Sequence, residues 1–195
     1  MKRPIVVEFS GLPNSGKTTL LHGLKEILDQ KSVSAVIVQE QAELLPQDIP
    51  KGSIEQNLWI TLETLQKCME MCFKPDVDYV LLDRGFYNQY FWVKLYASKD
   101  SEYSRFMLNF MDEFAKRYDV KPDFMYVVDV DVEDAIRRRM ASGEPVTFSK
   151  KDFLIHYKEE FEKFYKDLEN TLYIDTTGME KQEVVEAVCN EIIML

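Results

Sequence analysis

The chain has 195 residues, 46% hydrophobic and 12% aromatic, enough for one α/β domain with a continuous core and too apolar for dominant disorder. Its 24 Lys and Arg stand against 34 Asp and Glu, a formal net charge of −10. A surface that acidic repels phosphate backbones and anionic headgroups, so neither a nucleic acid polymer nor a membrane is expected as the main partner. Any phosphate ligand must be held by a local positive site working against the overall field. Three cysteines, Cys68, Cys72 and Cys189, do not make a disulfide framework. With only His22 and His156 beside them, a zinc site is not expected, and buried thiols in a reducing compartment are the plainer reading. The apolar run Ile5 to Phe9 holds Glu8 and is too short for a signal-sequence core. No stretch approaches a membrane span, so a cytoplasmic protein is expected.

In chain order, Ile5 to Phe9 reads as a first strand. Leu20, Leu21, Leu24, Ile27 and Leu28 give helical spacing over Thr18 to Leu28. Val33 to Val38 is a second β-branched run, and Gln41 to Gly52, with Pro46 and Pro50, is a loop. Ser53 with Gln56 three residues on has the capping-box arrangement for a helix running to about Phe73, ended by Lys74-Pro75-Asp76. Tyr79 to Asp83 is a third strand. A long helical region follows from about Phe86 to Tyr118, interrupted near Ser98 to Ser101. Phe124 to Val130 is a fourth strand and Val132 to Ala141 a helix. Ser149 can cap another helix reaching about Glu169; Leu172 to Asp175 is a fifth strand and Lys181 to Ile193 a closing helix. Apolar strands separated by helices imply a parallel sheet covered on both faces, hence one doubly wound α/β domain.

Gly11-Leu12-Pro13-Asn14-Ser15-Gly16-Lys17-Thr18 matches G-x-x-x-x-G-K-[ST] in full. Backbone N–H groups must turn inward around an anion, which requires glycine where a Cβ would block the chain or the phosphate. Lys17 supplies a point charge for β- and γ-phosphates, and the Thr18 hydroxyl suits Mg²⁺. The cradle is expected to comprise Gly11, Asn14, Ser15, Gly16, Lys17, Thr18 and Thr19, at the positive end of the following helix. The plainer alternative is a strand-to-helix turn with an incidental lysine. Against it, the motif lies between a clear strand and a clear amphipathic helix, and two of only seven glycines occupy its demanding positions.

A second constellation is Asp83-Arg84-Gly85 at the end of the third strand. A carboxylate there can hold Mg²⁺ directly or through water, and the adjacent arginine can grip a phosphate. A solvent-facing ion pair is the competing reading.

Three segments carry a family resemblance: Phe9 through Leu20; Asp83-Arg84 followed by Phe86-Tyr87-Asn88; and Lys121-Pro122-Asp123-Phe124 leading to Val127-Val128-Asp129-Val130-Asp131 and Ala135-Ile136-Arg137-Arg138. In content and order they resemble the thymidylate kinase-like branch of the P-loop nucleoside and nucleotide kinases. The resemblance implies a three-layer α/β/α fold with a five-stranded parallel sheet. It also implies phosphate transfer from ATP with Mg²⁺, one kinase domain over 1–195, and a short lid around 139–150. By the same resemblance Arg138 is the lid-proximal arginine.

The departures are instructive. Pro13 stands where thymidylate kinases usually carry Asp, and Val38-Gln39-Glu40-Gln41 where they tend to have Arg-Glu-Pro. No arginine lies between Arg3 and Arg84. A doubly charged acceptor phosphate needs several cations, so their shortage argues against an ordinary monophosphate kinase. Deoxynucleoside kinases place a Glu without that Arg after the second strand, although they usually have Glu-Arg-Ser where this chain has Asp83-Arg84-Gly85. A hydroxyl acceptor needs a proton acceptor, and Glu40 is placed to be one or to be a solvated loop carboxylate. Gln56, Trp59 and Phe86 are candidates for an acceptor pocket, since nucleobases stack on aromatics and pair with amides. Trp59 at helical spacing reads equally as core.

The expected activity is therefore ATP:Mg²⁺ phosphotransfer to a nucleoside or nucleotide, with Lys17, Asp83, Arg84, Arg138 and Glu40 as catalytic candidates and Thr18 and Asp83 for the metal. Alternatives are a kinase of another small metabolite and a GTPase-like regulatory module. Ser149-Lys150-Lys151-Asp152 only weakly matches a guanine-reading motif, and no Asp-x-x-Gly follows the third strand. The Phe-rich helix from Phe106 to Phe114 reads as packing, with a possible homodimer contact.

Overall fold

In the computed structural model, residues 3–73, 76–143 and 148–193 are described. The elements are β1 (Ile5–Gly11), α1 (Lys17–Gln30), β2 (Ala35–Val38), α2 (Ile54–Cys72), β3 (Tyr79–Asp83), α3 (Phe86–Leu95), α4 (Ser101–Tyr118), β4 (Phe124–Asp129), α5 (Val132–Ala141), α6 (Phe148–Tyr165), β5 (Thr171–Asp175) and α7 (Lys181–Ile193). The five strands form one parallel sheet in the order β2-β3-β1-β4-β5. Parallel neighbours need crossover connections, and helices supply them here. None of the described helices is long and apolar enough to cross a membrane.

The backbone falls into two compact units whose boundary cuts β1 between Glu8 and Phe9. The first takes in the chain up to Glu8 together with Ser34–Asp123. Its core joins Val6, Val80 and Leu82 of the strands to Leu65, Phe86, Val93, Met107 and Met111 of α2, α3 and α4. Cys68 and Cys72 pack in the same core as free thiols, and burial pushes both up from the ordinary thiol range. Ser53 caps α2 by accepting from the Gln56 N–H at 3.1 Å. The reciprocal half of the capping box is displaced by one residue, because Gln56 Oε1 takes the N–H of Gly52. Asp100 accepts from the N–H groups of Glu102 and Tyr103, starting α4 afresh after a short 3₁₀ turn over Tyr96–Ser98.

The second unit comprises Phe9–Val33 and the chain from Phe124 on. Leu20, Leu21, Leu24 and Leu28 form the buried stripe of α1, each worth roughly 1.5–3 kcal/mol relative to exposure. Gly23 lets α7 approach, since a Cβ there would lie 2.8 Å from the Val185 side chain. Phe9 stacks on Tyr126 at 5.5 Å, and the Tyr165 hydroxyl donates to Ser10 Oγ at 3.0 Å.

Element boundaries differ from the sequence expectation where side chains capture the backbone. β2 starts at Ala35 rather than Val33: the Val33 N–H closes onto Leu28 O, and Ser34 bonds Asp78 Oδ2 through both N–H and hydroxyl. α6 begins at Phe148, so Ser149 lies in its first turn instead of capping it, and it stops at Tyr165 rather than near Glu169. There the Leu168 N–H turns back to Tyr165 O, and Thr171 Oγ1 donates to Leu168 O. Lys74-Pro75 and 144–147, part of the stretch 139–150 expected as a lid, lie outside the described residues.

Candidate functional site

The phosphate loop belongs to the second unit. At its first glycine a Cβ would stand 2.1 Å from the Val128 carbonyl oxygen, so only Gly11 fits. Asn14 and Gly16 both adopt left-handed backbone, at φ 64° and 93°, a conformation glycine reaches without cost and Asn tolerates better than most. Lys17, 5% exposed, is held on the loop itself. Its ammonium donates to Leu12 O at 2.9 Å and Gly11 O at 3.2 Å, with Ser15 Oγ at 3.5 Å. The next residues, Thr18 and Thr19, open α1 with exposed side chains. A cation fixed at a helix N-terminus is chemically suited to an anionic ligand.

Arg138 reaches this loop from α5. Its guanidinium donates to Ser15 O and Thr176 Oγ1, each at 3.2 Å, and to Thr176 O at 2.7 Å. Asp134, one turn back, pairs with it at 3.0 Å and also pairs with the exposed Arg137. Of the three consecutive arginines, Arg138 is thus brought to the loop. A cavity of about 240 Å³ beside it is lined by Ser15, Gly16, Thr19, Arg138, Thr176 and Lys181 among others. Thr176 was not foreseen. It follows β5, and its hydroxyl donates to both Ser15 O and Asp129 O. The signal was available: in open α/β sheets, turns after strand carboxyl ends line the ligand crevice.

The remaining predicted residues lie in the first unit. Asp83 ends β3 and is buried. Arg84 follows in left-handed backbone, φ 59°, and pairs with Glu40 Oε1 at 2.5 Å, both side chains under a fifth exposed. The structure therefore joins Glu40 to Arg84, two residues the sequence offered separately.

This pair lines a cavity of about 120 Å³ with Gln41, Gln56, Asn57, Asn88, Gln89 and Trp92. The cavity's indole is that of Trp92, whereas Phe86 belongs to the core. Glu40 and Arg84 are the charged residues among its lining and neutralise each other. The amides are cross-braced: Gln89 Nε2 donates to Thr61 Oγ1 at 2.7 Å, and Tyr103 donates to Asn57 Oδ1 at 2.7 Å. Burial, then the neighbouring Tyr96, pushes the Tyr103 phenol up to about 12, so it stays a neutral donor.

Glu8, fully buried in β1, reads in the sequence only as a break in an apolar run. Its carboxylate accepts the N–H groups of Tyr87 at 3.0 Å and Asn88 at 2.7 Å, at the start of α3. A charge inside an apolar strand was the sequence signal for it.

No family model matches the chain. Among solved structures, thymidylate kinase from Candida albicans is similar with a TM-score of 0.68 and 15% identity, over 98% of this chain and 92% of that one. Deoxyadenosine kinase from M. mycoides, solved with dCMP and dCDP bound, is similar with a TM-score of 0.67 and 16% identity, over 97% of this chain and 100% of that one. The strand order, the phosphate loop between β1 and α1 and these likenesses agree: the chain has the thymidylate kinase-like nucleotide kinase fold.

Proposed function

We propose that the protein is a cytoplasmic ATP- and Mg²⁺-dependent kinase that phosphorylates a nucleoside or nucleotide. The observation that carries this reading is the phosphate loop, with the Lys17 ammonium held at Leu12 O and Gly11 O inside a fold shared with nucleoside and nucleotide kinases. The residues present suit both groups. Gly11 and Gly16 stand where the Val128 carbonyl or the left-handed backbone disfavours a side chain, and the Thr18 hydroxyl and Asp83 carboxylate are hard oxygen donors of the kind Mg²⁺ takes. When bound, Mg²⁺ neutralises charge on the β- and γ-phosphate oxygens.

In this reading Lys17 and the amides of Asn14, Ser15, Gly16, Thr18 and Thr19 grip the phosphate tail, while Arg138 stabilises charge developing on the transferred group. Glu40 takes the proton of the acceptor hydroxyl as its oxygen bonds to the γ-phosphorus and the bridging bond to the β-phosphate breaks. Arg84 orients Glu40 and the reacting groups. A cavity whose charged lining residues cancel supports a neutral hydroxyl acceptor over a dianionic monophosphate. The whole chain is read as one kinase domain, with a lid around 139–150. A homodimer fits the aromatic stripe Phe106, Phe110, Phe114 and Tyr118 along α4, of which Phe106, Phe110 and Tyr118 are exposed.

The test is a panel of nucleosides and monophosphates assayed for ADP release. Acceptor-dependent release with at least one nucleoside is expected; equal slow release with every acceptor and with none overturns the reading. Thermal shift with ATP against GTP separates it from a GTPase-like module, since preferential stabilisation by GTP favours the switch.

A further inference from the structure

We propose that Asn88 is a ligand-binding residue of the acceptor cavity, donating through Nδ2 to an acceptor atom of the substrate, and that Glu8 is the positioning residue that holds it there. The inference rests on reading that cavity as the acceptor site. Asn88 is 3% exposed and lines the cavity, and its Nδ2 has no hydrogen-bond partner among the described residues. Buried amide donors are nearly always satisfied, so a donor kept dry beside a cavity points to an atom that enters it. Its neighbour Gln89 is the contrast, with its amide nitrogen already spent on Thr61 and Asn57.

Gln41 carries the opposite polarity. It is 6% exposed on the same cavity, its Nε2 donates to Gln39 O at 2.6 Å, and its Oε1 has no partner among the described residues. One unspent donor and one unspent acceptor match a planar ring bearing a carbonyl or ring-nitrogen acceptor together with an N–H, the chemistry of a nucleobase edge.

Glu8 acts on this arrangement through the backbone. α3 starts at Gly85 without a side-chain cap, and its orphan donors at Tyr87 and Asn88 are taken by Glu8 reaching from β1. A carboxylate at a helix N-terminus is favoured by the helix dipole and by charge-assisted bonds. The approach is so close that a Cβ at Gly85 would lie 2.8 Å from Glu8 Oε2. The residue whose amide nitrogen is unspent in the cavity is therefore one whose main chain Glu8 holds, at 2.7 Å.

Equilibrium binding of thymidine, deoxycytidine, deoxyadenosine and deoxyguanosine to the wild type, Asn88→Ala, Asn88→Asp and Glu8→Gln tests this, with ATP binding measured on the same preparations. For the tightest nucleoside, Asn88→Ala is expected to weaken binding about tenfold, the worth of one buried hydrogen bond. Asn88→Asp should lose at least as much, because a carboxylate offers no donor. Glu8→Gln should weaken nucleoside binding and leave ATP binding unchanged, with Glu8→Asp intermediate. Wild-type nucleoside affinity in both Asn88 variants overturns the role of Asn88 and leaves the kinase reading standing. Equal loss of ATP and nucleoside binding in Glu8→Gln overturns the positioning role. Failure of the wild type to bind any of the four while binding ATP overturns the proposal together with the assignment of the cavity.

Discussion

Replacing Glu40 by glutamine keeps the size of the side chain and removes its charge, and the structure separates two consequences. The first is electrostatic. Glu40 and Arg84 are 2.5 Å apart with 18% and 15% of their side chains exposed, so the pair is largely but not fully desolvated. Exposed pairs are worth about 0–1 kcal/mol and one-sided rupture of buried ones about 3–5 kcal/mol, so about 1–3 kcal/mol of stability is expected to go. For a chain of this size that is roughly 2–12 °C in melting temperature. The second consequence is chemical. Losing a general base costs about 10²–10⁴ in turnover, equivalent to about 2.7–5.5 kcal/mol of activation free energy. The Glu40→Gln enzyme should therefore unfold a few degrees earlier, turn over at least a hundredfold more slowly on the order of the base's contribution, and bind ATP as before. Steady-state kinetics at a temperature where both forms are folded, beside a thermal melt and an ATP titration, provides all three readouts. A lower melting temperature with unchanged turnover would leave Glu40 as the counter-ion of Arg84 and refute its role as base.

Other expectations follow from particular contacts. Gly11→Ala would drive a methyl group to 2.1 Å from Val128 O, and should abolish ATP binding while lowering stability, both measurable by thermal melts with and without nucleotide. Ser53→Ala deletes the acceptor for the Gln56 N–H and should cost about 1 kcal/mol, read by urea unfolding with an unchanged slope. Tyr90 and Tyr103 are both pushed up to about 12, chiefly by burial, with Asp112 adding at Tyr90. The folded state holds protons that the unfolded chain releases near pH 10, so this stability is fully present below pH 10 and is lost as pH rises toward 12. Unfolding free energies from pH 9 to 11.5 should fall less steeply in Tyr90→Phe and Tyr103→Phe, and an identical slope would contradict the assignment.

The sequence revealed most where structure is local. The phosphate loop is a strand, a turn and a helix within Ile5–Gln30, and β3, α5 and α7 have the bounds that apolar spacing predicts. The cavity beside Glu40 and Arg84 was only partly legible because its walls come from distant stretches. Glu8 meets Tyr87 and Asn88 79 and 80 residues away, and Tyr103 meets Asn57 46 residues back. Nothing in local spacing ranks Trp59 against Trp92, since both sit on helices with mixed faces; only packing decides that Trp92 lines the cavity.

Titrating ATP with Mg²⁺ into wild-type protein and Lys17→Ala by calorimetry addresses the phosphate cradle most directly. Saturable one-site binding is expected in the wild type, weakened by about 10–100-fold in the variant, the worth of one charge-assisted contact. An absence of heat with the wild type, or equal affinity in the two proteins, would contradict the account.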